Sequence, residues 1–597
     1  MPKGPPEDEG QVRPAPVLLA PRIGTITPIL PPWSAEKEIG YVLAAGAKDA
    51  VRIGEETHNS VLCLIPIRHR TGLRLGDPVC IWDYVEGEVF GGVIAEISLP
   101  NITREHLETY LFEEFVPTQE LVAVGSIDFL EQPAIITVKL FCTLEPKTWQ
   151  KGPVDYTPHP RASLFRPGPK LVQKMFGLAK SGEGICYGVI LLGRQPYKFL
   201  AGENHGLVDI GTENKVVEDQ DSQLTYFPYI MREHLLYEHE FSIGTTGKGK
   251  TVRNKNDVNQ WIDKLRGAVV ILDKHGEYID LGKSLVNPPD QTEQTIWKDC
   301  SFQAAGLKDL KIFKWAPRLP EEPNKKVEYF TVRLGELENS DLCYYLPELT
   351  PQGYTVLPRL IGFFKRESGL FPTLANFERW LRRVDLPESV ADQRTVSAVL
   401  RRLAMTLESR IFDGLDLEDI PIQELIQPGR VSVIPLNHIL DDDVVTNIAF
   451  HVLNKLARYK LSGQDKAKIP VMILVDEAHN YFPRFVDPEQ RAFIKRLIRR
   501  AKTICKEGRK FQLRLQFTTQ RPEEIDIGVL SIVNTITFFG CTPQQVSSLK
   551  KAIELPISPN QLINLPKRTS IIYSKDNTDA PVTVLVPWPT LRHPVRV

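Results

Sequence analysis

The chain has 597 residues, with 73 Lys and Arg against 74 Asp and Glu, a net charge of −1 and 42% hydrophobic residues. That length supports several domains with ordinary cores, and the charge balance excludes a bulk polycation, so a polyanionic partner must be met by local patches. Eight cysteines without a C-x-x-C pair exclude a disulfide framework and a cysteine zinc site, and no apolar run approaches the ~18 residues of a membrane span, so a cytoplasmic protein without membrane contact is expected.

Residues 1–20 are Pro-rich, include Glu7, Asp8 and Glu9, and lack a basic-then-apolar pattern; a disordered tail is expected. From 21 to 155 the chain reads as β. Short apolar or alternating runs at 39–44, 61–66, 79–82, 89–97, 121–127 and 134–141 are separated by turn-formers such as Arg74-Leu-Gly-Asp-Pro78, the pattern of a small closed barrel. It carries no catalytic constellation, and a docking or scaffold role is expected. Residues 151–185 are rich in Pro and Lys, with one helix expected over 170–179. The next domain is expected over 156–285, with 187–192 as a first strand.

Phe241 to Arg253 reads F-S-I-G-T-T-G-K-G-K-T-V-R and fits G-x-x-x-x-G-K-[ST], with Gly244, Gly249, Lys250 and Thr251 at the fixed positions. The spacing follows from triphosphate chemistry. Backbone N–H groups must turn inward around the β-phosphate, and glycine supplies the φ values and the room. Lys250 can reach the β- and γ-oxygens, the Thr251 hydroxyl can ligate Mg²⁺, and a helix over 252–265 points its positive end at the anion. Gly244, Thr245, Thr246, Gly247, Lys248, Gly249, Lys250, Thr251 and Val252 form the expected ATP cradle, with Lys248 as a second cation by the phosphates.

Gly267-Ala-Val-Val-Ile-Leu-Asp273 repeats an apolar run ending in a carboxylate, followed by Lys274-His-Gly-Glu-Tyr278. A strand beside the phosphate-loop strand would bring Asp273, His275 and Glu277 to the ligand, and Lys274 and His275 to a pore. Residues 286–429 read as an inserted, largely helical region, with helices over 376–383 and 389–411. The rest of the core is expected over 430–575. It opens with a strand near 429–435 and an amphipathic helix over 444–461. Val471-Met-Ile-Leu-Val-Asp476-Glu477 is apolar at every position until two carboxylates, as a strand buried on both faces reads. Its tip lies where open α/β sheets place ligands, so Asp476 is expected in the Mg²⁺ shell and Glu477 against the attacking water. A basic helix over 488–510 offers Arg509 as an arginine finger for a neighbouring subunit, with Arg500 in reserve, or cations for phosphate contact. Gln520, at the end of the strand Phe511-Gln-Leu-Arg-Leu-Gln-Phe-Thr-Thr, would stand beside Glu477 and sense a γ-phosphate if the two strands are adjacent. Residues 576–597 are expected as a C-terminal strap.

The set Gly244-Thr-Thr-Gly-Lys-Gly-Lys-Thr251, Asp273-Lys-His-Gly-Glu-Tyr278, Leu474-Val-Asp-Glu-Ala-His479, Glu507-Gly-Arg-Lys510 and Thr519-Gln-Arg-Pro522 resembles the HerA family of the HerA–FtsK ATPases. The resemblance implies an α/β fold: a RecA-like P-loop ATPase core with a mostly helical insertion and a HAS-barrel-like N-terminal β-barrel. It implies a homohexamer threaded by double-stranded DNA, using ATP and Mg²⁺, with a NurA-like nuclease on the barrel, or another effector in an antiphage system. Carried over by position, Lys250 and Thr251 bind nucleotide and metal, Asp476 and Glu477 are the metal and catalytic carboxylates, Gln520 is the sensor and Arg509 the trans-acting finger. Two departures stand out: Lys248 replaces a small residue, and the strand before Gln520 is unusually polar. Two rival readings are a nucleotide-gated ring scaffold that switches an effector without travelling on DNA, and a secretion or conjugation ATPase sharing this core.

Overall fold

The computed structural model describes residues 38–43, 59–98 and 134–593, apart from 201–223 and short breaks that include 463–467 and 485–490. The expected N-terminal tail and the strand expected over 121–127 lie outside the described residues.

The barrel is built from β1 (Glu38–Val42), β2 (Ser60–Ile65), β3 (Pro78–Asp83), β4 (Glu88–Ser98), β5 (Ala134–Leu144) and β6 (Ser163–Phe165). Their order is β2-β1-β6-β3-β4-β5, all antiparallel, and β5 pairs back onto β2. Closure removes the exposed edges an open sheet would carry. β6 lies beyond the expected barrel end at 155. Three residues are too few to display a period of two, so the closing strand was not visible in the sequence.

Alternation divides the barrel residues between two cores. Val79, Ile81, Phe90, Ile136 and Leu164 fill the barrel. Cys80, Trp82, Val89, Cys142, Leu144 and Phe165 face outward and join a cluster with helix α1 (Pro169–Phe176) and with Tyr187, Val258, Trp261 and Ile271 of the next domain. At Gly91 a Cβ would lie 2.6 Å from Cys142 Sγ and 3.1 Å from Met175, so its absence lets α1 settle on the barrel wall.

The second domain is one large sheet. Its strands are β7 (Gly184–Leu192), β8 (Pro228–Arg232), β9 (Glu240–Ile243), β10 (Ala268–Asp273), β11 (Leu310–Trp315), β12 (Val327–Phe330), β13 (Val431–Pro435), β14 (Val471–Val475), β15 (Leu513–Thr519), β16 (Thr535–Phe538), β17 (Thr569–Ser574) and β18 (Val582–Leu585). The order is β8-β7-β18-β17-β16-β9-β15-β14-β10-β13-β11-β12. From β16 to β12 every pairing is parallel; β17, β18, β7 and β8 extend the sheet antiparallel. Every residue of β9, β10, β13, β14 and β15 is buried, as expected for parallel strands covered on both faces. One expectation is corrected. β10 does not neighbour the phosphate-loop strand β9, because β15 and β14 lie between them.

Helix α2 (Lys250–Leu265) follows the loop, and α3 (Gln291–Asp299) follows β10. The stretch expected as a helical insertion first adds β11 and β12 to the sheet. Its helices are α4 (Pro351–Glu367), α5 (Leu374–Arg383) and α6 (Gln393–Glu408), with Thr350, Thr373 and Asp392 side chains capping their N-termini. α4 is absent from the sequence-based expectations. Pro358 sits inside it and donates no N–H, and the Cys343 thiol donates to the Tyr354 carbonyl one turn earlier at 3.8 Å. These helices share one apolar core with α7 (Asp442–Leu461) and α8 (Arg491–Gly508), so the insertion is packed onto the sheet.

Trp82 is 3% exposed in the cluster shared by barrel and sheet. Trp82→Ala should cost about 3–5 kcal/mol. Scanning calorimetry should show one transition moved downward, with no separate melting of the barrel.

Candidate functional site

The loop between β9 and α2 has the backbone its sequence demanded. Gly247 and Gly249 have φ of +75° and +115°, where side chains are strained, and a Cβ on Gly249 would also lie 3.0 Å from the Arg568 Cα. No acidic residue occupies the first turn of α2, so the positive end of the helix is left for an anion. The Lys250 ammonium is buried and donates to the Gly244 carbonyl at 2.6 Å and the Thr245 carbonyl at 3.0 Å. Burial pushes its pKa down, and the nearby Glu477 and Asp476 carboxylates oppose that shift.

Asp476 and Glu477 follow β14 directly and are 6% and 3% exposed. Asp476 Oδ1 accepts from the Thr518 hydroxyl at 2.6 Å. Burial, aided by the charges of Glu477, Asp273 and Glu277, pushes the Asp476 pKa up to about 7. Glu477 adopts φ +51°, the left-handed region, which costs a non-glycine residue about 1 kcal/mol. That turn brings Glu477 Oε2 to the Gln520 backbone N–H at 3.0 Å and within 3.4 Å of His479 Nδ1.

Gln520 completes the connection. β15 lies between β9 and β14, so its tip stands between loop and acids. While its N–H donates to Glu477, its side-chain Oε1 accepts from the Thr246 hydroxyl of the loop. The Gln545 amide holds its carbonyl. Thr518, His479 and Gln545 do not stand out as site residues in the sequence. The first two flank motif residues already recognised there; Gln545 carries no local signal.

Lys248, Asp273, Lys274 and Arg509 are each held by partners within the chain. The Lys248 ammonium donates to the Leu565 carbonyl at 2.8 Å, and the Lys248 carbonyl accepts from Arg568 N–H at 2.8 Å. Lys248 thus ties the loop to the segment before β17. Asp273 accepts four backbone N–H groups of its own turn, from His275, Gly276, Glu277 and Tyr278, at 2.8 to 3.2 Å. Its carboxylate is a turn brace, and Lys274 is ion-paired with Asp442 at 2.8 Å. Arg509 precedes β15, at the sheet edge opposite the loop, 60% exposed and paired with Glu238 at 2.5 Å. A seven-residue strand spans roughly 20 Å, so Arg509 does not reach the Lys250 site of its own chain. Arg500 lies within α8.

A buried Lys and an uncapped helix start at one parallel-sheet edge, with two acids beyond an intervening polar strand tip, define a P-loop NTPase core of RecA-like strand order. Residues 229–456 match the family described as "Helicase HerA, central domain". The chain is 24% identical over 312 residues to a DNA double-strand break repair helicase HerA of Sulfolobus acidocaldarius, covering 50% of this chain and 54% of that protein. It is 25% identical over 305 residues to the HerA of Saccharolobus solfataricus, covering 49% and 52%. The chain spans about half the length of the curated relatives it matches. Among solved structures, VirB4 of Thermoanaerobacter pseudethanolicus aligns with 68% of this chain and 98% of its own at TM-score 0.42 and 12% identity. The plasmid coupling protein TrwB with ADP and Mg²⁺ aligns with 61% and 91% at TM-score 0.40 and 13% identity.

The Asp476 environment predicts a pH signature. A carboxyl whose folded pKa is raised loses stability as pH climbs from its unfolded to its folded value. In Mg²⁺-free buffer at pH 8, Asp476→Asn should therefore raise the melting temperature, by the equivalent of at most about 4 kcal/mol. Melting curves from pH 8 to pH 5 should show that gain shrinking below about pH 7.

Proposed function

We propose that this chain is an Mg²⁺-dependent ATP hydrolase that assembles as a homohexamer and travels on double-stranded DNA, with its barrel docking a NurA-like nuclease or another effector. The observation that carries the reading is Gln520, hydrogen-bonded at once to the phosphate loop through Thr246 and to the acid pair through Glu477. The relatives, named as DNA double-strand break repair helicases, support the choice of DNA as track.

The residues fit a hard divalent cation. Asp476 is a buried carboxyl crowded by other carboxylates, and Thr251 offers a hydroxyl at the start of α2, an oxygen donor set of the kind Mg²⁺ takes. Held by Thr251 and Asp476, Mg²⁺ would supply positive charge against the triphosphate. The loop N–H groups and Lys250 hold the phosphates. Glu477, anchored by the Gln520 N–H and flanked by His479, orients and polarises the attacking water. Loss of the γ-phosphate changes what Thr246 and Gln520 can bond to, and β15 carries that change toward Arg509 at its other end. Exposed and remote from its own site, Arg509 is suited to reach a neighbouring protomer's γ-phosphate, which motivates the ring.

Lys250→Ala should abolish ATP hydrolysis, and Glu477→Gln should bind ATP without turning it over. Steady-state ATPase and nucleotide-binding assays check both, and full turnover in either variant overturns the site. Linear duplex DNA should raise the wild-type ATPase rate, with affinity falling steeply with salt; a rate indifferent to DNA favours the nucleotide-gated scaffold instead.

Arg509→Ala protomers, inactive alone, should recover turnover when mixed with Glu477→Gln protomers, because each supplies what the other lacks. If no mixing ratio recovers activity, the finger lies elsewhere.

A further inference from the structure

Beneath the phosphate loop lies a group of charges that none of these steps uses. Glu240, Arg253, Asp257 and Arg514 are 0, 0, 0 and 1% exposed. They come from the elements that build the site: Glu240 from the loop strand β9, Arg253 and Asp257 from α2, Arg514 from the Gln520 strand β15. Arg514 donates through Nη2 to Glu240 Oε2 at 2.5 Å and to the Tyr187 hydroxyl at 2.9 Å, and through Nη1 to the Leu236 carbonyl at 2.9 Å. Arg253 donates through Nε to Asp257 Oδ1 at 2.7 Å and through Nη2 to Glu240 Oε1 at 3.3 Å, with its guanidinium 3.3 Å over the Tyr187 ring. Gln516, the register partner of Glu240, donates to Asn254 Oδ1 at 3.1 Å and Asp257 Oδ2 at 2.9 Å on α2.

Two positive and two negative groups balance, yet balance does not explain their presence. Buried ion pairs are seldom more stable than apolar packing of the same volume. Arg253 Nη1 even lacks a hydrogen-bond partner. What such pairs supply is direction. An apolar helix face can shift on a sheet, whereas forked guanidinium bonds hold an angle and a register. Arg253 lies two residues after Thr251, and Arg514 and Gln516 precede Gln520 on one strand. The bonds therefore tie the helix that presents Lys250 and Thr251 to the strand that presents Gln520.

We propose that Glu240, Arg253, Asp257, Arg514 and Gln516 are positioning residues that set the phosphate-loop helix α2 against β9 and β15, so that Lys250, Thr251 and Gln520 meet one bound nucleotide. This rests on the ATP-hydrolysis reading above. The network acts on the rate of the chemical step more than on nucleotide capture, which the loop N–H groups share with Lys250.

The test is the charge-balanced pair Glu240→Gln with Arg514→Gln, compared with each single variant. Each single change strands a buried charge and should lower the melting temperature. The double variant keeps the Arg253–Asp257 pair neutral and should regain most of that melting temperature. Its kcat should nevertheless stay down by about tenfold or more while its Kd for an ATP analogue shifts less than about threefold. Recovery of kcat together with melting temperature would make the network a stability feature only and overturn the proposal. Arg514→Lys, which keeps the charge and loses the fork, is the second variant. It should bind the analogue normally and turn over slowly, and wild-type kcat in it also overturns the proposal. Wild-type protein assayed in parallel separates the two ideas, since absent turnover there counts against ATP hydrolysis itself.

Discussion

A strand tip between two others governs this site. Because β15 runs between β9 and β14, every group at its carboxyl end faces the phosphate loop on one side and the acids on the other. Gln520 uses both directions, with its side chain on Thr246 and its N–H on Glu477. Neither contact could form if the loop and acid strands were direct neighbours, because no third backbone would stand between them. The left-handed turn at Glu477 belongs to the same constraint. An extended residue there would carry the carboxylate onward along the strand; φ +51° turns it aside to the Gln520 amide.

How much of this was legible in the sequence depends on how local each signal is. The phosphate loop and the acid pair declare themselves through short motifs whose chemistry fixes their spacing, and the structure brings both to one edge. The barrel showed its two-residue alternation but hid its closing strand, Ser163–Phe165, which is too short to alternate. α4 was hidden for the opposite reason. Gly353, Pro358 and Gly362 all argue against a helix, yet burial of Leu357, Leu360, Ile361 and Phe364 in the main core outweighs local preference. β11 and β12 were missed because they lie toward the sheet's far edge and are only half buried, so they lack the unbroken apolar run of the central strands.

Two carboxylates show where pattern reading stops. Asp273 and Asp476 each end an apolar strand, and nothing within either strand separates them. The turns that leave the two strands differ. After Asp273 the chain passes through Gly276 at φ +76°, which curls successive N–H groups onto the carboxylate and consumes it. After Asp476 the left-handed residue is a glutamate, the 3₁₀ turn Ala478–Asn480 closes on the Glu477 carbonyl instead, and the Thr518 hydroxyl from the neighbouring strand reaches the carboxyl. Burial raises the proton affinity of both carboxyls, but four N–H groups of its own turn oppose the rise at Asp273, whereas at Asp476 one hydroxyl opposes it and neighbouring carboxylates add to it. A glycine makes the first turn self-sufficient; a second acid makes the other turn a site.

The polar strand Leu513–Thr519 follows from the same reasoning at larger scale. Arg514 and Gln516 in a central strand are costly unless every donor and acceptor is met. Their partners come from β9, α2, Tyr187 and Leu236, elements distant in sequence that only the folded sheet assembles. Burial pushes the Glu240 carboxyl up, yet Arg253 and Arg514 outweigh it and hold its pKa below the usual carboxylate value; at Asp257 burial wins and the pKa is raised. Proton affinity is thus divided unequally across one network, with Glu240 the more fully charged centre of two arginine forks. That centre lies on the strand leading into the phosphate loop, so the helix and the Gln520 strand are joined at the base of the loop.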